Sequence, residues 1–185
     1  MTANYQKKII NKTPLGKQLN SSLLKSYQLK VLGNEKLLSL LKYELITLFF
    51  RNLAGGVGYL SRKKFYPSLF RSVGSGAIFG TGIILRHPQQ ITLKNQVAID
   101  DYVLLDASGA GEEGITLENE VIISRNCVIQ GKTGSVLIGK KTNIGCNTII
   151  SSGAGIVIGN SVLIAGNCYI GGGRYISDRL DIPMM

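Results

Sequence analysis

Between residues 91 and 170 an Ile or Leu returns every six residues, and no other feature of this 185-residue chain restricts its fold so tightly. The positions fall in triplets: Leu93, Ile99, Leu105; Leu117, Ile123, Ile129; Ile138, Ile144, Ile150; and Ile158, Ile164, Ile170. Two residues before each stands a smaller or β-branched residue, as in Val97, Val103, Val121, Cys127, Thr142, Thr148, Val162 and Cys168. Side chains two apart share one face of a strand, so each hexad is a short strand with two inward residues. Gly or Ala follows the aliphatic at Gly139, Gly145, Gly159, Ala165 and Gly171, and Asn is frequent just after, at Asn95, Asn119, Asn126, Asn147, Asn160 and Asn167. These small and Asn positions are expected to carry the left-handed backbone of the turn.

The six-residue count breaks only after every third unit, where residues 106–114, 130–135 and 151–155 intervene. Corners accept insertions and strands do not. Three hexads therefore make one coil of a triangular prism, with every insertion stacked at the same corner. A weaker first coil reads Val73, Phe79, Leu85, with its insertion at Arg86–Gln90. At ~4.8 Å per coil, five coils span roughly 24 Å. The predicted fold is mainly β: a parallel β-solenoid with a stacked Ile/Leu core. A six-residue unit is too short for a helical repeat, and the residues alone do not set the hand of the coil.

Charge divides the chain. Residues 1–71 hold thirteen Lys/Arg against two acids, Glu35 and Glu44, whereas residues 72–185 are close to neutral. Such asymmetry suits a membrane surface or another polyanion as partner, or simply a solvated basic face. No nucleic-acid-binding motif accompanies it. A composition 44% hydrophobic and 17% charged excludes a disordered chain. The three cysteines, Cys127, Cys146 and Cys168, form neither a disulfide framework nor a CxxC pair. Cys127 and Cys168 occupy inward slots on one face two coils apart, ~9.6 Å, which is too far to bridge. With no signal peptide and no membrane-spanning run in the sequence, a cytoplasmic protein is expected.

In the N-terminal third a first helix is predicted from about Leu19 to Leu32, ended by Gly33, with Asn34 as the N-cap of the next. The second runs through Leu37, Leu38, Leu41, Leu45, Leu48 and Phe49 to Leu53, where Gly55-Gly56 stop it. Leu40, Ile46 and Phe50 widen its apolar stripe, so it needs a cover. The segment GGVGYLSRKKFYPSLFRSVG then interleaves Arg62, Lys63, Lys64 and Arg71 with aromatic and aliphatic residues. Two readings stand: a helical cap that plugs the first coil, and a contact with an anionic membrane. The third face of the prism shows Leu104, Val128, Ile149 and Tyr169 outward, and this stripe is expected to pack on a neighbouring subunit or on the N-terminal helices.

The stretches VLIGKKTNIGCNTII and IVIGNSVLIAGNCYIGGG resemble the hexapeptide-repeat, left-handed β-helix acyltransferases, over about residues 71–183. LRHPQQITL and CYIGGG further resemble bacterial sugar or polysaccharide O-acetyltransferases of that superfamily. The resemblance implies a left-handed coil, a homotrimer, acetyl-CoA as acyl donor, and a sugar or glycan acceptor whose hydroxyl is deprotonated by a histidine. It also implies further coils and a closing segment after the loop, so the native chain is expected to continue past Met185. The organisation it suggests is a basic helical segment at 1–70, a β-helix at 71–173 and a loop at 174–185.

Histidine supply narrows the chemistry. The chain has one, His87. A solenoid carbonic anhydrase needs several per metal site, so no metal is expected. One imidazole suffices for acyl transfer. His87, however, lies four coils from the Gly171 corner, roughly 19 Å, and reads better as a turn residue with a satisfied hydrogen bond. In the similar enzymes the base falls in the loop after the CYIGGG-like strand. Here that window holds Arg174, Tyr175 and Asp178 instead. Arg174 cannot be a base but can hold a phosphate or carboxylate. Asp178 can act as a weak base or bind acceptor, and Tyr175 can help only with a much lowered pKa. Asn147, Gly171, Gly172 and Gly173 are the candidate substrate-binding residues. The alternative function is a non-catalytic β-helix scaffold that uses its basic N-terminal segment for partner or membrane contact.

Overall fold

A computed structural model describes residues 23–172. Among the described residues three helices come first: α1 (Leu23–Leu32), α2 (Leu37–Phe50) and α3 (Gly55–Phe65), followed by a short 3-10 turn at Tyr66–Leu69. Fifteen short strands follow, from β1 (Ser72–Val73) to β15 (Tyr169–Gly172). They form three five-stranded sheets, ordered β1-β4-β7-β10-β13, β2-β5-β8-β11-β14 and β3-β6-β9-β12-β15. Every pairing is parallel, and each strand stacks on the third one before it. This is the predicted three-faced solenoid.

The inward hexad residues make the core. Leu93, Ile99, Leu105, Ile115, Leu117, Ile123 and Ile129 are fully buried, each contributing about 1.5–3 kcal/mol of hydrophobic stabilisation. Burial fades towards coil five, where Ile156, Ile158, Val162, Ile164, Cys168 and Ile170 are only half-buried. Thr142 and Thr148 also face inward, where a bare hydroxyl would cost free energy. Thr142 Oγ1 donates to the Gly159 carbonyl at 2.8 Å and Thr148 Oγ1 to that of Ala165 at 3.1 Å, so both hydroxyls tie coil four to coil five.

The turns bear out part of the expectation. The left-handed residue sits three positions after the aliphatic, where Asn126, Asn147 and Asn167 were expected to carry it, and not at the Gly or Ala directly after it. Gln96, Tyr102, Glu120, Asn126, Lys141, Asn147, Ser161 and Asn167 all have φ between 56° and 61°. The glycines immediately after the aliphatic are small for another reason. A Cβ on Gly139 would lie 2.5 Å from the Gly159 carbonyl oxygen in the coil above. Two columns of turn residues therefore run up the prism, and one is an asparagine ladder. Asn126 Nδ2 donates to Asn147 Oδ1 at 3.2 Å, and Asn147 Nδ2 to Asn167 Oδ1 at 3.1 Å.

The helices close the prism at its first coil. Tyr66 and Phe70 pack on Phe79, with ring centroids 5.5 and 5.6 Å apart. Leu40, Tyr43 and Ile46 of α2 are buried, and Tyr43 Oη donates to the Leu85 carbonyl at 2.9 Å. Of the four cations in the basic-aromatic segment, two are spent on structure. Arg62 is 4% exposed and donates to the carbonyls of Phe79, Phe50 and Leu53 at 3.1, 3.1 and 2.7 Å. Arg71 reaches the Gln89 and Glu112 carbonyls. The cap reading of this segment holds. Asn34 is not the N-cap of α2: Lys36 takes that place, and Asn34 Oδ1 accepts the Lys36 N–H at 3.0 Å. The helices meet the strands chiefly at β2 and β3 of the first coil, and the third-face stripe further along the prism is left partly uncovered. Leu104 and Val128 there are half-buried, while Ile149 and Tyr169 are exposed.

Candidate functional site

The corner after the third face collects the insertions, and the stacked strands bring one polar column to it. Register aligns Arg86, Asp106, Gln130, Ser151 and Gly171 in successive coils. Asp106 is the buried member, its side chain 2% exposed. Its Oδ1 accepts the Ser108 N–H at 3.0 Å, and its Oδ2 faces Arg86 Nη1 and Gln130 Nε2, each at 3.4 Å. A buried carboxylate needs such company, since desolvation otherwise favours its neutral form.

The loops that leave this corner are stitched together. Ser152 Oγ donates to the Ser135 carbonyl at 2.9 Å and accepts the Gly155 N–H at 3.0 Å. Thr133 Oγ1 donates to the Gly153 carbonyl, and Ser135 Oγ to Glu113 Oε2 at 2.7 Å. The corner is thus a braced wall, not three loose insertions. Along it the aligned side chains shrink from Gln130 to Ser151 to Gly171. On Gly171 lies the ring of Tyr169: a Cβ there would stand 2.8 Å from Tyr169 Cε1 and 3.1 Å from its Oη. Strand β15 ends its sheet among the described residues, so no described strand pairs with its outer edge. Sequence reasoning found the glycines and missed the phenol above them. The signal was available: Tyr169 is an outward residue two positions before Gly171 on the same strand.

Asn147 stands at the opposite end of β12 from Ser151, and both ends of its amide are engaged in the ladder. Gly173, Arg174, Tyr175 and Asp178 lie outside the described residues.

His87 is held as a docking residue. Its backbone is left-handed (φ 49°), its N–H donates to the Val31 carbonyl at 2.7 Å, and its Nε2 bonds the Leu29 carbonyl at 2.8 Å. A carbonyl only accepts, so Nε2 carries the proton. Burial pushes the imidazole pKa below its ordinary value, against the Leu29 carbonyl and the Asp106 charge, which pull it upward. The ring is therefore neutral near pH 7 and ties α1 to the first coil.

A concavity of about 290 Å³ opens on the second face beside α3. Ala98, in register between Ile78 and Ile122, lines it together with Tyr59, Arg62 and Asp100. Cys127 is buried with its Sγ donating to the Gly145 carbonyl at 3.1 Å, and all three cysteines are free. Among the described residues no cluster of three His, Cys, Asp or Glu is placed to hold a metal. No helix among them is long and apolar enough to cross a membrane.

No protein-family model, curated protein or solved structure matches the chain.

Proposed function

We propose that the chain is an O-acyltransferase that takes an acetyl group from acetyl-CoA and passes it to a sugar or glycan hydroxyl. The observation that carries this reading is the outer edge of β15 at the insertion corner. There the aligned side chains shrink from Gln130 through Ser151 to Gly171, and among the described residues no strand pairs with that edge. An extended chain with amide groups, such as the pantetheine arm, can pair with edge backbone groups as an added strand does. The resemblance of the hexads and of CYIGGG to such enzymes points the same way.

In the reaction the acceptor oxygen attacks the thioester carbonyl. The new C–O bond forms, the C–S bond breaks, and the hydroxyl proton ends on the departing thiol. Gly171, Gly172 and Gly173 would line the donor, and Arg174, Tyr175 and Asp178 follow directly in sequence. Asp178 is the proposed proton acceptor or acceptor-sugar ligand, Arg174 a phosphate holder, and Tyr175 an acceptor contact. Asn147, with its amide engaged in the ladder, is proposed only to contact ligand through its remaining N–H. A homotrimer would cover the stripe of Leu104, Val128, Ile149 and Tyr169.

One observation favours the scaffold alternative: the sole imidazole is committed to the Leu29 carbonyl. A single experiment separates the two. The whole protein is titrated with acetyl-CoA by calorimetry, and thiol release is followed with sugar and glycan acceptors. Binding that Gly171→Val abolishes, by setting a branched side chain beside the β15 edge, supports transfer. Absence of binding at millimolar acetyl-CoA removes the acyltransferase reading and leaves the scaffold.

A further inference from the structure

The outer side of α2 is apolar where a surface helix is ordinarily polar. Leu40, Tyr43 and Ile46 face the prism. On the opposite side Leu37, Leu41, Leu45 and Leu48 follow one another at three- and four-residue steps, flanked by Leu38 and Phe49. Residues so spaced share one helix face. All six are exposed, Leu38 to 82% and Leu48 to 76%. Neighbouring α3 adds Val57 and Leu60, exposed to 70% and 63%, with Lys63 and Lys64 exposed one turn on.

Charge selects the occupant of this surface. Residues 23–71 hold nine Lys/Arg against Glu35 and Glu44. Glu44 is engaged by the Tyr27 hydroxyl at 2.5 Å, and Glu35 by Lys25 at 3.5 Å. A second copy apposed here would bring like charge against like. A surface that is apolar within and negative outside matches both features at once. The geometry points to docking of the helical cap on an anionic lipid bilayer, with the α2 leucines entering the headgroup–acyl boundary and the lysines of α3 meeting the headgroups. The helices lie on the bilayer and do not cross it. Because they pack on the first coil, the Gly171 corner stands four coils beyond, roughly 19 Å further along the prism. The inference is independent of acyl transfer and survives its failure.

The test is co-sedimentation of the whole protein with two vesicle preparations. One is phosphatidylcholine alone; the other is equal parts phosphatidylcholine and phosphatidylglycerol. The wild type is expected to partition at least about tenfold more strongly onto the anionic vesicles. Lys63→Gln/Lys64→Gln should lower that partition about tenfold or more. Leu41→Ser/Leu45→Ser should lower it about tenfold or more through lost apolar burial. Both pairs are exposed, and unchanged unfolding midpoints confirm that the variants fold. Equal binding to both vesicles, or binding to neither, overturns the proposal. So does a wild-type oligomer that Leu41→Ser/Leu45→Ser dissociates without any change in vesicle binding, because the face is then a protein interface.

Discussion

The imidazole of His87 occupies the space that a side chain on Gly33 would need. A Cβ at residue 33 would lie 2.5 Å from both Cε1 and Nδ1. Gly33 also holds φ +70°, where an L side chain costs about 1–2 kcal/mol. Gly33→Ala is expected to destabilise by at least that amount and to loosen α1 from the first coil. Urea unfolding gives the free energy. Hydrogen exchange of residues 29–32 gives the place.

The same contact makes the cap sensitive to acid. The folded His87 pKa lies below the unfolded value of ~6.5. Its contribution is therefore complete above about pH 6.5 and is lost as pH falls through the folded value. The groups facing it are the Leu29 carbonyl and the Asp106 carboxylate. Stability measured between pH 7.5 and about 5 should fall in the wild type. In His87→Asn, which tolerates the left-handed backbone, that part of the slope should vanish.

Arg62 holds the cap together through three carbonyls. Arg62→Met keeps much of the volume but leaves those carbonyls without their donor. A loss of about 3 kcal/mol or more is expected. Arg62→Lys should fall between the two, since an ammonium cannot span the same three oxygens. Thermal and chemical unfolding of both variants check the order.

Thr148→Val keeps shape and removes the hydroxyl that reaches the Ala165 carbonyl. A cost of about 1–2 kcal/mol is expected. Faster hydrogen exchange should appear at residues 165–170, with coils two and three unchanged.

In the asparagine ladder, Asn147 has φ 58° and bonds both neighbours. Asn147→Gly loses the bonds and keeps the backbone. Asn147→Leu loses both, so its destabilisation should be larger by about 1 kcal/mol. Equal effects would mean that the backbone conformation is not a cost at this turn.

The prism was legible because its signal is repeated. Leu93, Ile99 and Leu105 alone could belong to many folds, but their recurrence through Ile170 with insertions at one corner fits a three-faced coil. The left-handed position was half legible: Asn126, Asn147 and Asn167 announce it, whereas the neighbouring small residues serve another purpose. Gly139 is small to let the next coil approach, while Lys141, a residue that gives no hint of it, takes the left-handed turn. The helical cap was readable as apolar and basic, but not its wiring. Nothing in the sequence tells Arg62, buried on carbonyls, from Lys63 beside it. The insertion corner was half legible: the glycines mark it in the sequence, while the column from Asp106 to Ser151 depends on cross-strand register.

Each strand of the third sheet meets its partner twenty to twenty-four residues back, as Leu105 does on Leu85 and Ile129 on Leu105. The loop closed by each added coil is therefore nearly constant, and so is its entropic cost. Assembly can proceed as growth on a seed, with the aromatic plug of Tyr66, Phe70 and Phe79 as the seed and each coil as the next monomer. Such a chain has no preferred size built into its joints. Adding or deleting a coil alters reach and surface without redesigning any contact below it.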